Sequence, residues 1–150
     1  MNRALFLDRD GVINVDKGYV YRPEDVVLRP GIVDIIRGFR ALGHWIIVVT
    51  NQSGIGRGHY TQAQYVACNR AILAQLAMQG AGIPSIDRAY HCPHRPDEGC
   101  ECRKPRPGMI LQAAQDHDID LAASTLIGDR VSDIEAGRAA GVGNCILWRK

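Results

Sequence analysis

Short runs of apolar residues that end in polar side chains recur along the 150-residue chain. Leu5-Phe6-Leu7 ends at Asp8, and Trp45 to Val49 ends at Thr50. Runs of this length, followed by turn residues, predict buried strands and not helices. Three further segments complete the set of predicted strands: Ile86–His91, Thr125–Asp129 and Asn144–Trp148. Strands that are apolar on both faces are typical of a parallel sheet that helices cover on both sides.

Helical patterns separate these strands. Apolar residues recur every three or four positions from Ile32 to Leu42, and Gly43 ends this pattern. Thr61 and Gln64 have the spacing of a capping box, which predicts a helix from there to about Gln79. Two further helices are predicted from Pro107 through Ala114 and from Ser132 to Ala140, whereas residues 14–29 and the glycine-rich segment 54–58 are predicted loops, the second of them flexible.

The alternation of strands and helices predicts the α/β class. We expect a three-layer α/β/α sandwich with a mainly parallel sheet, built as one domain over residues 1–150. A chain of this length is sufficient for one ordinary core and short for two. No stretch between the polar strand ends is long enough for a separate cap domain, so the predicted site is open apart from the loop over residues 14–29 and the cysteine-containing loop over residues 92–102.

Composition excludes several classes of function. The formal net charge is only +2 and the basic residues are scattered, which predicts neither a nucleic-acid nor a membrane partner. Asp8 interrupts the first apolar run well short of a signal-peptide core. We therefore expect a cytoplasmic protein, and a monomer. Its five cysteines favour a metal site in a reducing compartment over a set of disulfides.

Polar groups follow the predicted strands at points that a parallel sheet brings to one edge. Asp8 and Asp10 alternate along one extended segment, so both can face a common site while Arg9 turns away. An acidic surface turn is the simpler explanation of such a pair alone. The other strand ends favour a functional site over an acidic turn, because they add a hydroxyl, an amide, cations and further carboxylates: Thr50, Asn51, Arg103, Lys104, Asp129 and Asp133. This combination suits a phosphate ester beside Mg²⁺, held by Asp8, Asp129 and a backbone carbonyl near Asp10.

A second motif lies between the third strand and Arg103. The pairs Cys92-x-His94 and Cys100-x-Cys102 supply three thiolates and one imidazole, the ligand set of a structural zinc site. Accidental clustering of three cysteines is the alternative, but the paired spacing favours zinc. Zinc would order the loop over residues 92–102, which has no core of its own, and would thereby hold the following Arg103 and Lys104 in place.

The motifs resemble those of the haloacid dehalogenase-like (HAD) phosphohydrolases over nearly the whole chain. Within that superfamily the sequence resembles the D-glycero-D-manno-heptose 1,7-bisphosphate phosphatases and the related histidinol-phosphate phosphatases. The segments that carry the resemblance are Asp8-Arg9-Asp10-Gly11-Val12-Ile13-Asn14, Gly18-Tyr19-Val20, Thr50-Asn51-Gln52-Ser53-Gly54-Ile55, Cys92-Pro93-His94, Cys102 to Met109 and Gly128 to Asp133. The spacer between His94 and Cys100 is shorter than in the longest-looped members, and it leaves the four metal ligands intact.

The resemblance implies a HAD-like fold and a role for each motif residue. The implied catalytic residues are Asp8 as nucleophile, Asp10 as general acid and base, and Thr50 and Lys104 as partners of the phosphoryl oxygens. Mg²⁺ is implied at Asp8, Asp10 and Asp129, and Zn²⁺ at Cys92, His94, Cys100 and Cys102. The implied substrate-binding residues are Asp16, Gly18, Tyr19, Thr50, Asn51, Gln52, Ser53, Arg103, Lys104 and Arg130.

The leading hypothesis is a Mg²⁺-dependent phosphatase with a small phosphorylated sugar as substrate. It removes the C7 phosphate of heptose 1,7-bisphosphate through an aspartyl-phosphate intermediate and leaves heptose 1-phosphate. A histidinol-phosphate phosphatase and a zinc-stabilised binding module without activity are the alternatives. A nucleic-acid 3′-phosphatase uses similar motifs, but the low charge argues against it.

Overall fold

A computed structural model describes residues 1–149 as alternating strands and helices. The strands are β1 (Ala4–Leu7), β2 (Trp45–Asn51), β3 (Arg88–Cys92), β4 (Thr125–Gly128) and β5 (Asn144–Leu147). The helices are α1 (Ile32–Ala41), α2 (Ser53–Gly56), α3 (Gln62–Met78), α4 (Gly108–His117) and α5 (Val131–Ala140). Short 3₁₀ turns lie at Pro23–Asp25, Pro96–Glu98 and Leu121–Ala123. The predicted strands and longer helices are confirmed, with ends that shift by a few residues.

The five strands form one sheet in the order β3-β2-β1-β4-β5, and every pairing between them is parallel. Because β1 lies in the centre, its carboxyl end has the ends of β2 and β4 on either side. Leu7 is in register with Val48 on β2 and with Ile127 on β4. The residues that follow these strands therefore meet at one edge of the sheet.

Each face of the sheet is covered by a separate apolar core. Alternate residues of β1 point to opposite faces: Leu5 packs with α1 and α3, whereas Phe6 packs with α4 and α5. Both side chains are fully buried. This arrangement confirms the three-layer α/β/α sandwich with a parallel sheet. Among the described helices, none has the length and apolarity that a membrane crossing requires.

The glycine-rich segment after β2 differs from the prediction. It was expected to be a flexible loop, but its first part forms the short helix α2 and packs closely. A Cβ atom on Gly54 would lie 2.2 Å from the Tyr60 ring, and one on Gly56 would lie 2.6 Å from the Pro93 carbonyl oxygen. These glycines thus allow close packing at the site. The capping box at Thr61 and Gln64 is confirmed.

Candidate active site

A cavity of about 600 Å³ opens at the carboxyl edge of the sheet. It is lined by residues that follow β1, β2 and β4 and by the segment after the cysteine loop. All of the residues that we predicted to be catalytic or substrate-binding lie along it: Asp8, Asp10, Asp16, Gly18, Tyr19, Thr50, Asn51, Gln52, Ser53, Arg103, Lys104 and Arg130. The structure thus brings together positions that are up to 122 residues apart in the chain.

The cavity also has lining residues that sequence reasoning missed. Arg57 and Tyr60 lie just beyond α2, and Ser132 lies in the first turn of α5. Arg57 lies within the glycine-rich segment 54–58 and Tyr60 follows it, so their closeness in sequence to the polar strand end at Thr50 was the available signal. Their orientation into the cavity depends on the turn that α2 makes, which the residue pattern did not show.

A buried lysine lies between two carboxylates at the base of the cavity. The Lys104 Nζ atom is 3.1 Å from Asp8 Oδ1 and 2.6 Å from Asp133 Oδ1. It also donates to the Val49 carbonyl oxygen at 2.8 Å. Asn51 fixes the backbone of the lysine, since its side-chain oxygen accepts from the Lys104 N–H at 3.0 Å. All three donors of the ammonium group therefore have acceptors that hold it beside Asp8.

Burial and neighbouring charges shift the pKa values of this pair. Burial raises the pKa of Asp8 from 3.8 to about 7, although the positive charge of Lys104 acts in the opposite direction. Burial alone would lower the pKa of Lys104, but the carboxylates of Asp8 and Asp133 raise it above its usual value. Lys104 is therefore a cation at neutral pH, and Asp8 needs further positive charge to be fully ionised there.

The carboxylates are arranged so that a cation could supply this charge. Oxygen atoms of Asp8, Asp129 and Asp133 all lie within 4.8 Å of one another. Asp129 Oδ1 is buried and has no hydrogen-bond partner within residues 1–149. Gly11 leaves space for this side chain, because a Cβ atom there would lie 2.0 Å from Asp129 Oδ2. An all-oxygen set with an unpartnered carboxylate oxygen fits a hard divalent cation such as Mg²⁺.

Asp133 has a different environment from Asp129. Its Oδ2 atom accepts from the backbone N–H groups of Asp129 and Arg130, each at 3.1 Å, while Oδ1 accepts from Lys104. A Cβ atom on Gly128 would lie 2.3 Å from the Asp133 Cβ atom, so only glycine fits against it. Because its oxygens are already hydrogen-bonded, Asp133 holds the turn after β4 and orients Asp129.

Asp10 has a carboxylate that lies outside this group and is held by hydrogen bonds from three side chains. Asn14 Nδ2 donates to its Oδ1 atom at 2.9 Å, Gln52 Nε2 donates to Oδ2 at 3.0 Å, and Arg9 contacts both oxygens. The Asp10 side chain is not part of the carboxylate group formed by Asp8, Asp129 and Asp133, and a metal contact through a backbone carbonyl near Asp10 stays a prediction. Its side chain is left for other chemistry.

Gln52 links Asp10 to Thr50. The same Nε2 atom donates to Thr50 Oγ1 at 3.0 Å, and Tyr60 donates its hydroxyl to Gln52 Oε1. Gln52 and Tyr60 are both buried. The Thr50 hydroxyl accepts from Gln52, and its own proton makes only a long contact of 3.5 Å with the Asn51 carbonyl oxygen, so it can turn to a ligand in the cavity.

Charged and aromatic side chains form the rim of the cavity. Arg130 Nη2 lies 3.4 Å from Asp16 Oδ2, and Asp16 Oδ1 accepts from the Gly18 N–H at 2.9 Å. The Tyr19 ring stacks on His59 with 4.6 Å between centroids. On the side of the cysteine loop, Arg103 has a buried Nη1 atom without a hydrogen-bond partner in the described part of the chain. The rim therefore presents guanidinium groups to an anionic ligand.

The cysteine loop brings its four predicted ligands together. The Sγ atoms of Cys92 and Cys102 are 2.9 Å apart, those of Cys92 and Cys100 are 3.5 Å apart, and His94 Nδ1 lies 3.2 Å from Cys102 Sγ. All four donor atoms lie within 4.8 Å of one another. Three sulfurs and one ring nitrogen in this arrangement could bind a metal ion with tetrahedral geometry.

The raised pKa of Asp8 predicts how stability varies with pH when no divalent metal is added. Between pH 3.8 and about 7 the folded chain keeps a proton on Asp8 that the unfolded chain has lost. The free energy of unfolding should therefore fall as pH rises through this window, by up to about 1.4 kcal/mol per pH unit for one proton. Burial raises the pKa of Asp129 as well, which acts in the same direction.

Urea denaturation at several pH values between about 4 and 7 measures this dependence. Asp8→Asn serves as the comparison, because the amide does not titrate and the fall should be shallower. The same slope in both proteins would contradict the assignment of the effect to Asp8.

Comparisons with known proteins agree with this geometry. The HAD-hydrolase-like family model matches residues 101–147. The chain is 47% identical over 145 residues to D-glycero-alpha-D-manno-heptose-1,7-bisphosphate 7-phosphatase of Campylobacter jejuni, with 97% of this chain and 81% of the relative covered. It is 45% identical over 146 residues to the beta-heptose counterpart of Helicobacter pylori, with 97% and 83% covered.

A solved structure shows the same likeness. The D,D-heptose 1,7-bisphosphate phosphatase from B. bronchiseptica, crystallised with magnesium and phosphate, superposes with a TM-score of 0.87 at 35% identity. The match covers 96% of this chain and 79% of that one. Sequence, fold and site geometry thus agree, and the chain belongs to the heptose 1,7-bisphosphate 7-phosphatase family of HAD-like phosphatases.

Proposed function

We propose that this protein is a Mg²⁺-dependent phosphatase that removes the C7 phosphate of D-glycero-D-manno-heptose 1,7-bisphosphate and leaves heptose 1-phosphate. The observation that carries the proposal is the pairing of Asp8 with Lys104 at the base of an arginine-rimmed cavity. The named relatives act on this sugar bisphosphate, and the solved relative was crystallised with magnesium and phosphate.

Asp8 is the nucleophile in the first step. One of its oxygens attacks phosphorus, the bond from phosphorus to the C7 oxygen breaks, and an aspartyl-phosphate forms. The positive charge of Lys104, 3.1 Å from Asp8, offsets negative charge on the phosphoryl oxygens, and the Thr50 hydroxyl donates to one of them. Asp10 gives its proton to the departing C7 oxygen, so that the sugar leaves as a neutral alcohol.

Asp10 has the opposite role in the second step. Its carboxylate accepts a proton from a water molecule, the water oxygen attacks the phosphorus, and the bond to Asp8 breaks. Inorganic phosphate and free Asp8 result, and Asp10 is again protonated for the next turnover. A Mg²⁺ ion bound by Asp8 and Asp129, with backbone oxygen near Asp10, would supply positive charge next to the transferred group.

The second phosphate of the substrate has its own partners in this proposal. Arg103 and Arg130 line the cavity, and a guanidinium group can bind a phosphate with two parallel hydrogen bonds. Asp16 orients Arg130 through the contact at 3.4 Å. The loop residues Gly18 and Tyr19, with Ser53 opposite, are left to contact the sugar.

Turnover assays with matched substrates test the proposed function. We expect Mg²⁺-dependent release of one phosphate from heptose 1,7-bisphosphate, with heptose 1-phosphate as the product in ³¹P NMR spectra. Histidinol phosphate should be a much poorer substrate, because it has no second phosphate for the rim arginines. A preference for histidinol phosphate would contradict the substrate, and the absence of phosphate release from either ester would favour a binding module.

We further propose that the metal bound by the cysteine loop is Zn²⁺ and that its role is structural. The four donors would complete the tetrahedral shell of a bound zinc ion and would leave no position for a substrate. The last ligand, Cys102, directly precedes Arg103 and Lys104. The loop also packs on α4, since a Cβ atom on Gly108 would lie 2.3 Å from the Glu101 carbonyl oxygen.

Metal analysis tests this zinc site. One zinc per chain is expected in the purified protein and none in Cys102→Ser. Loss of the metal should lower kcat on the order of 10²-fold, because Lys104 is then displaced from Asp8. Cys145→Ser is the matched control, since Cys145 is half-buried outside the cluster. Full activity of a zinc-free protein would overturn the proposal.

The absence of disulfides among the five cysteines and a site built from one chain also support the proposed cellular location and oligomeric state. The five cysteines are unpaired, which suits a reducing compartment, and we place the protein in the cytoplasm. Every group that the proposed mechanism uses comes from a single chain, so a monomer suffices for activity. Light scattering during turnover measures the mass of the active species.

A further inference from the structure

Arg9 is a buried arginine between the two aspartates of the first motif. Only 2% of its side chain is exposed. The side chain points away from the cavity, as the sequence predicted, but its guanidinium group returns to contact Asp10 from behind. Nε donates to Asp10 Oδ1 at 3.2 Å, while Nη2 lies 3.1 Å from Oδ1 and 3.2 Å from Oδ2. Two adjacent nitrogens of one planar group therefore set the plane of the carboxylate.

The same guanidinium group also binds the loop that lines the cavity. Nη2 donates to the Val20 carbonyl oxygen at 2.6 Å. Val20 follows Gly18 and Tyr19, which line the cavity next to Asp16. Because the guanidinium group is rigid, the positions of the Val20 carbonyl and the Asp10 carboxylate are tied to each other.

Helix α3 holds Arg9 from the other side. Nη1 donates to Asn69 Oδ1 at 3.0 Å, and the guanidinium carbon lies 5.3 Å from the centre of the Tyr65 ring. Both residues are on α3, and neither lines the cavity. The cation is thus held by a carboxylate, two neutral oxygens and an aromatic face, so its burial is compensated without any contact with the cavity.

We propose that Arg9 is a positioning residue that sets the orientation of Asp10 for proton transfer and couples it to the loop over residues 16–20. The inference rests on the proposed function, in which Asp10 protonates the leaving oxygen. Lysine cannot replace arginine in this role, because an ammonium group lacks the planar pair of donors that holds both the carboxylate and the Val20 carbonyl.

The choice of leaving group separates positioning of Asp10 from a general structural effect. An alcohol must be protonated as it departs, whereas 4-nitrophenolate leaves without a proton. Loss of Asp10 orientation should therefore lower kcat/KM for the sugar phosphate and have little effect on kcat/KM for 4-nitrophenyl phosphate. General acid catalysis contributes about 10²–10⁴-fold, so we expect Arg9→Lys to lose about 10²-fold on the sugar phosphate and less than about 3-fold on the aryl ester.

A second variant keeps the proposal testable if Arg9→Lys does not fold. Asn69→Ala leaves Arg9 and Asp10 intact but removes one support of the guanidinium group, and it should show the same selective loss at about 10-fold, within the range that supporting hydrogen bonds contribute. Gln75→Ala is the matched control. Gln75 is also half-buried on α3 and donates to a loop carbonyl, that of Val26 at 3.1 Å, but Arg9 is not among its partners. Both kinetic constants should stay within about 2-fold for this control.

The outcomes distinguish the two proposals. A selective loss in Arg9→Lys and Asn69→Ala, with Gln75→Ala unchanged, supports the role of Arg9. If the wild type is active but the variants lose sugar-phosphate and aryl-phosphate hydrolysis in equal proportion, or lose neither, the role of Arg9 is overturned. The proposed function of the protein is then unaffected. A wild-type protein that hydrolyses neither ester refutes the proposed function and this inference with it.

Discussion

Replacement of Asp8 by asparagine is expected to lower phosphate release by about 10⁴-fold or more, the scale of removing a covalent nucleophile. The amide has nearly the same shape as the carboxylate but cannot form an aspartyl-phosphate. The protein should remain folded. The amide does not leave Lys104 unpartnered, because the ammonium group still donates to Asp133 and to the Val49 carbonyl oxygen. Steady-state phosphate release and urea denaturation measure the two effects.

Asp34→Asn is the control for this change. Asp34 is exposed on α1, and its substitution should leave kcat within about 2-fold, as is usual for surface positions. Mass spectrometry of acid-quenched protein should detect a phosphorylated aspartate at position 8 in the wild-type chain and none in Asp8→Asn. Turnover by Asp8→Asn at more than a few per cent of the wild-type rate would show that another group attacks phosphorus.

Lys104→Met is expected to reduce both activity and stability. Methionine fills a similar volume but leaves Asp8 and Asp133 without the cation that contacts them at 3.1 and 2.6 Å. Breaking a buried ion pair from one side costs about 3–5 kcal/mol of unfolding free energy. The loss of a preorganised charge at the phosphoryl group should lower kcat by about 10³-fold.

Denaturant titration and initial rates, with and without Mg²⁺, measure these losses. Arg70→Met is the comparison, since it removes one positive charge from an exposed position on α3. Added Mg²⁺ should recover part of the stability of Lys104→Met, because its charge acts on the same carboxylates. A Lys104→Met protein that unfolds at the same urea concentration as the wild type would contradict the role assigned to the buried cation.

The residues that line the site were predictable because chemistry and strand pattern coincide in this fold. Asp8, Thr50 and Asp129 each follow an apolar run, and runs of that kind form parallel strands whose carboxyl ends share one edge. Lys104 was found differently, from its place directly after the cysteine loop. Both signals, a polar residue after an apolar run and a position next to the cysteine loop, can be recognised within a short stretch of sequence.

Residues that act through long-range packing were not predictable in the same way. Arg9 was expected only to face away from the site, and its partner Asn69 lies 60 positions further along the chain. Tyr60 depends on the turn that α2 makes against Pro93. Hydrogen bonds of this kind need two elements to be docked first, and no periodic pattern in the chain records which donor reaches which acceptor.

By itself, the sequence determined the layers of the fold, the chemical groups at the strand ends and the group of potential metal ligands in the cysteine loop, because these follow from residue type and local spacing. Only the tertiary structure decided the strand order, which places β1 between β2 and β4 and so brings Asp8 beside Thr50 and Asp129. It also separated the roles of the carboxylates. Asp133 is bound by Lys104 and two backbone N–H groups, whereas Asp129 keeps an unpartnered oxygen within the described chain. That difference arises from burial and from the direction of hydrogen bonds, which are properties of the packed chain.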